Sequence, residues 1–301
     1  MSAIRTASLK PGNRVYLALL WVSIALLLFV TMFPFYWVFR TSLTPKVGIF
    51  SDPTAFLPPG ATWTNYGRVL GLIDSATAIS LGGSGQTVNF FRNMANSLIV
   101  SIGVTLAQVF CSCMAAYAFA RLRFKFRDQL FSLYVATLMI PGIVTMLPNF
   151  ILVKQLGLLN SHLGIMAPTM LMTPFAVFFL RQFLLGINKE LEEAAYLDGA
   201  GFFTTFTKII LPIAATAITT LAVITFITTW NDYMWPLIVG KKEAVRTLTV
   251  ALGIFRLQTP QGQPDWGGMM AGTTLAMVPT FALFFVFGKK IVDSIGFSGF
   301  R

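Results

Sequence analysis

The sequence predicts an all-α membrane protein of six transmembrane helices with its N- and C-termini in the cytoplasm. Two observations about composition and one about charge predict it. Of the 301 residues, 55% are hydrophobic and only 11% are charged, with a mean hydropathy of +0.73. The apolar residues gather into six blocks, each with about the 20 residues a helix needs to cross roughly 30 Å of hydrocarbon. The net charge of +11 sits largely at block ends, where basic side chains orient a membrane protein and meet anionic headgroups. No basic stripe interleaved with aromatic residues is present, so nucleic acid is not an expected partner and membrane lipid is.

Residues 1–14 are expected to be a cytoplasmic tail carrying Arg5, Lys10 and Arg14. The first block, about 15–39, is too long for the apolar core of a signal peptide and has no small-residue cleavage pattern after it, so it is read as a retained span. The others run about 95–120, 130–153, 163–185, 209–230 and 269–292, and 293–301 form a second cytoplasmic tail. With the N-terminus inside, 13 basic residues fall on the cytoplasmic side and 9 outside. The loop Arg121–Arg127, with four basic residues, resists translocation most strongly. The outer loops 41–94 and 231–268 are rich in proline and glycine and are expected to be irregular, with room for a short helix.

Prolines punctuate the blocks: Pro34, Pro141, Pro148, Pro168, Pro174 and Pro279. Each frees a backbone carbonyl that must be satisfied by a neighbouring helix or in a water-filled cavity. For the paired prolines of the third and fourth blocks, a packed kink and a pathway lining are equally good readings. Cys111 and Cys113, two apart in one block, face different directions on a helix and are read as packing residues.

Between the fourth and fifth blocks, within the loop 186–208, Gly186 to Ala200 reads as a short helix. Asn188 is placed as its N-cap, Glu190, Glu192 and Glu193 complement the macrodipole, and Gly199 is placed to end it in a left-handed conformation. Leu191, Ala194, Ala195 and Asp198 share a side that is small and only mildly apolar, which suits close approach of a protein partner better than insertion into lipid.

Glu193-Ala194-Ala195, Asp198-Gly199-Ala200, Phe206, Ile209 and Leu211-Pro212 together resemble the Glu-Ala-Ala loop of binding-protein-dependent ABC importer permeases. Asn96-Ser97, Ala116 to Arg121 with Phe124, Met139 to Gly142, Leu156 to Asn160 and Trp230 to Tyr233 resemble the carbohydrate branch, whose members include the second permease subunit of the maltose importer. The stretch Gly71–Phe90 is longer than that family's usual connection. The resemblance implies a type I ABC importer permease fold in a prokaryotic cytoplasmic membrane. It implies a second permease subunit, two ATP-binding subunits that use ATP and magnesium, and an extracytoplasmic binding protein delivering a sugar. It also implies that Glu193, Ala194, Ala195, Asp198, Gly199, Ala200, Leu211 and Pro212 couple this chain to the ATPases, and that a glycine-bearing tail with Gly296 and Gly299 reaches them.

The chain itself lacks a Gly-x-x-x-x-Gly-Lys-Ser/Thr phosphate loop and offers no Ser/His/Asp set, metal cluster or carboxylate pair within its blocks. It is therefore expected to be no enzyme, to hold no cofactor or metal, and to use His162 structurally. Asn96, Gln108, Asn149 and Asp232 are candidate path residues, with interhelical hydrogen bonding as the competing role. Alternatives remain a permease for glycerol phosphate, amino acids or peptides, and an ATP-independent carrier. The scarcity of ionisable residues inside the blocks counts against the last.

Overall fold

A computed structural model of the chain describes residues 11–81, 83, 88–256 and 264–296. Its regular elements are helices: α1 (Pro11–Ser42), α2 (Lys46–Ser51), α3 (Thr64–Val69), α4 (Ser75–Ser80), α5 (Phe90–Arg121), α6 (Arg127–Ala136), α7 (Gly142–Gln155), α8 (His162–Met166), α9 (Pro174–Leu185), α10 (Glu190–Leu197), α11 (Phe202–Thr205), α12 (Leu211–Ile213), α13 (Ala215–Trp230), α14 (Met234–Val239), α15 (Leu248–Leu252) and α16 (Trp266–Gly296). The described residues of the loop 41–94 include three short helices, α2, α3 and α4, where the composition suggests room for one.

Among the described residues, three helices are long and apolar enough to cross a bilayer unaided: Val15–Ser42, Phe90–Arg121 and Trp266–Lys289. Pro34 and Pro279 are absorbed inside α1 and α16. The third, fourth and fifth blocks depart from single straight helices. Arg127–Met139 and Gly142–Gln155 meet at 101°. Ile140, held extended at φ −80° and ψ 116°, precedes Pro141, whose ring disfavours a helical residue before it. In the fourth block, α8 and α9 are separate. Thr173 (φ −122°, ψ 151°) caps α9 by accepting from the Ala176 amide at 3.3 Å, and Pro174 takes the first turn. The 12 residues of α9 span only about 18 Å. In the fifth block, Phe202–Ile213 and Ala215–Trp230 meet at 75°. Phe206–Ile210 form a π-helical turn just before Pro212, which has no amide to donate back into the helix.

The described chain divides into two compact units, Met1–Gln86 with Phe255–Thr274, and Thr87–Ile254 with Leu275–Arg301. In the first unit Arg68 grips Asp265 through Nη1–Oδ2 at 2.7 Å and Nη2–Oδ1 at 3.0 Å. Asn65 joins the same cluster, accepting from Arg68 and donating to the carbonyls of Ser42 and Thr44. These bonds tie α3 to the end of α1 and to the start of α16.

In the second unit α5 packs along α9 and α13. Ala116 and Ala120 on α5, Ala176 and Val177 on α9, and Ala217 on α13 are almost fully buried at these contacts. Small side chains let helices approach closely where there is no water to drive association.

Candidate functional site

The loop after α9 is built as its composition predicts, with two corrections. Helix α10 carries Glu190, Glu192 and Glu193 in its first turn. Its cap position is Lys189, which makes no side-chain cap bond. Asn188 acts one residue earlier than a cap, accepting from the Glu190 amide at 3.1 Å and donating to Glu190 Oε2 at 3.0 Å. At the other end Gly199 adopts φ +82°. Its amide donates to Tyr196 O at 3.0 Å and the Ala200 amide to Ala195 O at 2.9 Å. That pair is a Schellman termination, which favours glycine at the left-handed position.

The outward face of α10 also differs from the one its spacing predicts. Leu191, Glu193, Ala194, Leu197 and Asp198 are exposed, Leu197 at 89%. Ala195 is buried at 6%, so it packs into its own chain and is not part of an open docking face. Ala200 is half-buried, Leu211 packs on the core of the second unit, and Pro212 is exposed.

Beside Ala195, Glu192 also points inward. Its Oε1 lies 2.6 Å from Arg121 Nε, and its Oε2 accepts from the Tyr117 hydroxyl at 3.0 Å. Arg121 Nη2 donates to Ile187 O at 2.7 Å. The Tyr117 ring packs 5.0 Å from Phe206 and 5.3 Å from Phe202. The C-terminal end of α5 thus holds both flanks of α10. In the sequence alone Arg121 reads as a membrane-orienting charge and Glu192 as a macrodipole partner. A glutamate and an arginine at opposite ends of a candidate loop contact were the available signal.

The candidate path residues separate. Asn96 is fully engaged: Nδ2 donates to the carbonyls of Ala244 and Arg246, both at 3.0 Å, and Oδ1 lies 2.9 Å from His162 Nε2. It fastens α5 to the loop after α14, and His162 shares that structural role. Gln108, Asn149 and Asp232 instead line one cavity of about 710 Å³ in the second unit. Gln108 Nε2 donates to the hydroxyls of Thr173 and Thr225 at 3.2 and 3.3 Å. Burial raises the carboxyl pKa of Asp232, while the backbone amides of Trp235, Met234 and Tyr233 partly counter that. Gly296 ends α16, and Gly299 lies outside the described residues.

The sequence profile described as "Binding-protein-dependent transport system inner membrane component" matches residues 108–295, a range that holds α10, its Schellman turn and most of the cavity. The chain belongs to that family. This permease is 30% identical over 268 residues to the sn-glycerol-3-phosphate transport system permease protein of Yersinia enterocolitica, covering 87% of this chain and 91% of that protein. It is 34% identical over 206 residues to the arabinooligosaccharides transport system permease protein of Halalkalibacterium halodurans, covering 68% and 72%. Among solved structures it superposes, at a TM-score of 0.77 and 20% identity, on a chain of a bacterial ABC transporter involved in the import of the acidic polysaccharide alginate. That match covers 94% of the permease and 99% of the other chain, and it shows that the ABC importer permease fold is shared.

Proposed function

We propose that the permease carries a sugar or sugar-like solute across the prokaryotic cytoplasmic membrane as one of two permease subunits in an ABC importer. An extracytoplasmic binding protein delivers the solute, and two ATP-binding subunits supply the energy from ATP and magnesium. In this reading both termini are cytoplasmic. The six spans are α1, α5, the bent α6–α7 pair, the broken α8–α9 segment, α13 and α16.

The observation that carries the reading is α10: an acidic helix that exposes Leu191, Glu193, Ala194, Leu197 and Asp198, closed by a left-handed glycine and held from behind by a buried ion pair. Glu193, Ala194, Asp198 and the exposed Leu197 would meet the ATPase. Closure of the ATPases on ATP would favour one position of α10, and Arg121–Glu192 would pass that shift to α5 as a rigid-body movement. A C-terminal tail bearing Gly296 and Gly299 would add to that contact.

The relatives support a sugar or glycerol-phosphate cargo by their names, and the glycerol-phosphate reading is the runner-up. Co-purification tests the proposal. The tagged permease should retain an ATP-binding subunit and a second permease, and Glu193→Lys should lose the ATPase and uptake together. Wild-type uptake by Glu193→Lys would remove the coupling role.

A further inference from the structure

The chemistry of the cavity separates the two cargo readings. Helix α13 is strongly apolar, yet Thr225, Thr228 and Thr229, with Asp232 just beyond the helix, follow at i, i+3, i+4 and i+7 and so share one face. All four line the 710 Å³ cavity, opposite Gln108 on α5 and Asn149 on α7. Threonines inside spans often serve only to bond back to their own helix. Thr228 does so, donating to Ile224 O at 3.0 Å. That explains the Thr228 hydrogen, while Thr225 accepts from Gln108, which also donates to Thr173. It does not explain why four polar side chains share a face that opens on further polar groups from three other segments.

The geometry points to a solute subsite in this subunit that takes an uncharged, polyhydroxylated molecule and rejects phosphate esters and carboxylates. The inference rests on the proposed permease function and narrows its cargo. Threonine hydroxyls and carboxamides both donate and accept, which matches sugar hydroxyls. Trp235 spends its indole N–H on Ile165 O at 3.0 Å, leaving its ring, like that of Phe175, as an apolar wall. The volume falls within the roughly 300–1,000 Å³ of small-molecule sites.

Among the described lining residues Asp232 is the single ionisable one. An anion entering there would lose its water and find a carboxylate but no cation to replace it. Lys241 and Arg246 line a neighbouring hollow of about 650 Å³, which meets this cavity at Met146, and neither is among the residues that line the threonine face. Arg246 Nη2 reaches the Lys241 carbonyl at 3.4 Å within that region.

Proteoliposomes holding the complete complex with its binding protein are given an equimolar mixture and ATP. The mixture holds neutral sugars, oligosaccharides and polyols together with sugar phosphates, sn-glycerol 3-phosphate and uronates. The contents of the lumen are then identified by mass spectrometry. The expected result is accumulation of a neutral member. Thr225→Val and Thr228→Val should each raise its KM about tenfold, the loss of roughly one hydrogen bond, and Thr225→Ser should restore it. Accumulation of a phosphorylated or carboxylated member would overturn the inference, as would neutral uptake whose KM neither valine variant changes. If nothing accumulates, the permease reading beneath it fails instead.

Discussion

Arg121 on α5 and Glu192 on α10 form an ion pair at 2.6 Å with side chains only 5% and 8% exposed. The pair joins a long membrane-crossing helix to the short helix proposed to receive force from the ATPases. Glu192 is immediately followed by Glu193, whose side chain faces the other way. Adjacent glutamates thus face opposite ways, one anchoring α10 to its own chain and one exposed on its surface.

Breaking the anchor should cost stability. Arg121→Ala or Glu192→Ala leaves a buried charge without its partner, at about 3–5 kcal/mol. The double variant Arg121→Met/Glu192→Leu should be milder than either single change, because it buries no lone charge. Thermal unfolding of the detergent-solubilised complex measures all three. Single variants as stable as wild type would show that the pair does not hold α10.

The glycine turn gives a sharper contrast. Gly199→Ala forces a side chain into φ +82° and should cost about 1–2 kcal/mol. A Cβ at Gly199 would meet nothing within 4 Å, so the penalty is conformational alone. Gly201 is equally open, and its φ of −75° suits any residue; Gly201→Ala should be silent. Unfolding and uptake assays of the two variants should separate them, and equal behaviour would count against the termination described.

Inward and outward positions on α10 should fail differently. Ala195→Leu overpacks a buried site and should lose about 1–3 kcal/mol of stability. Leu197→Glu changes an exposed residue, so stability should hold within about 0.5 kcal/mol while ATPase retention falls. Measuring unfolding and co-purification on both variants checks the assignment of the faces.

The first unit offers an independent test. Arg68→Ala takes the guanidinium away from the buried Asp265 carboxylate, which keeps the Gly268 amide at 2.9 Å, and the expected loss is about 1.5–3 kcal/mol, that of a charged hydrogen bond. Because both side chains are under 10% exposed, the wild-type pair should be insensitive to salt. A hydrogen-exchange comparison of α3 and the start of α16 with and without the mutation reads the effect locally.

The fold class was legible because a long apolar run has few other uses, and α1, α5 and α16 came through as continuous helices. The breaks at Pro141 and Pro174 were less legible. An apolar run reads the same whether one helix or two fill it, and only the extended residue before each proline marks the boundary. The Glu-Ala-Ala loop was read from its glycine, its acids and their spacing. The facing of Glu192 and Ala195 was not, because it is set by Arg121 and Tyr117 on a distant helix. Asn96 and Gln108 looked alike in sequence, and only tertiary placement put one in a sealed network and the other in a cavity. The face formed by Thr225, Thr228, Thr229 and Asp232 was available from spacing alone, but threonine blends into apolar blocks when hydropathy is averaged.

Position-specific crosslinking from α10 tests the central claim most directly. In a complex whose Cys111 and Cys113 are replaced by serine, Leu197→Cys carrying a short thiol-linked photocrosslinker is activated, and the adduct is identified by mass spectrometry. The account predicts an adduct with the ATP-binding subunit whose yield changes when ATP and magnesium are added. Adducts with lipid or with the extracytoplasmic binding protein, and none with the ATPase, would contradict it.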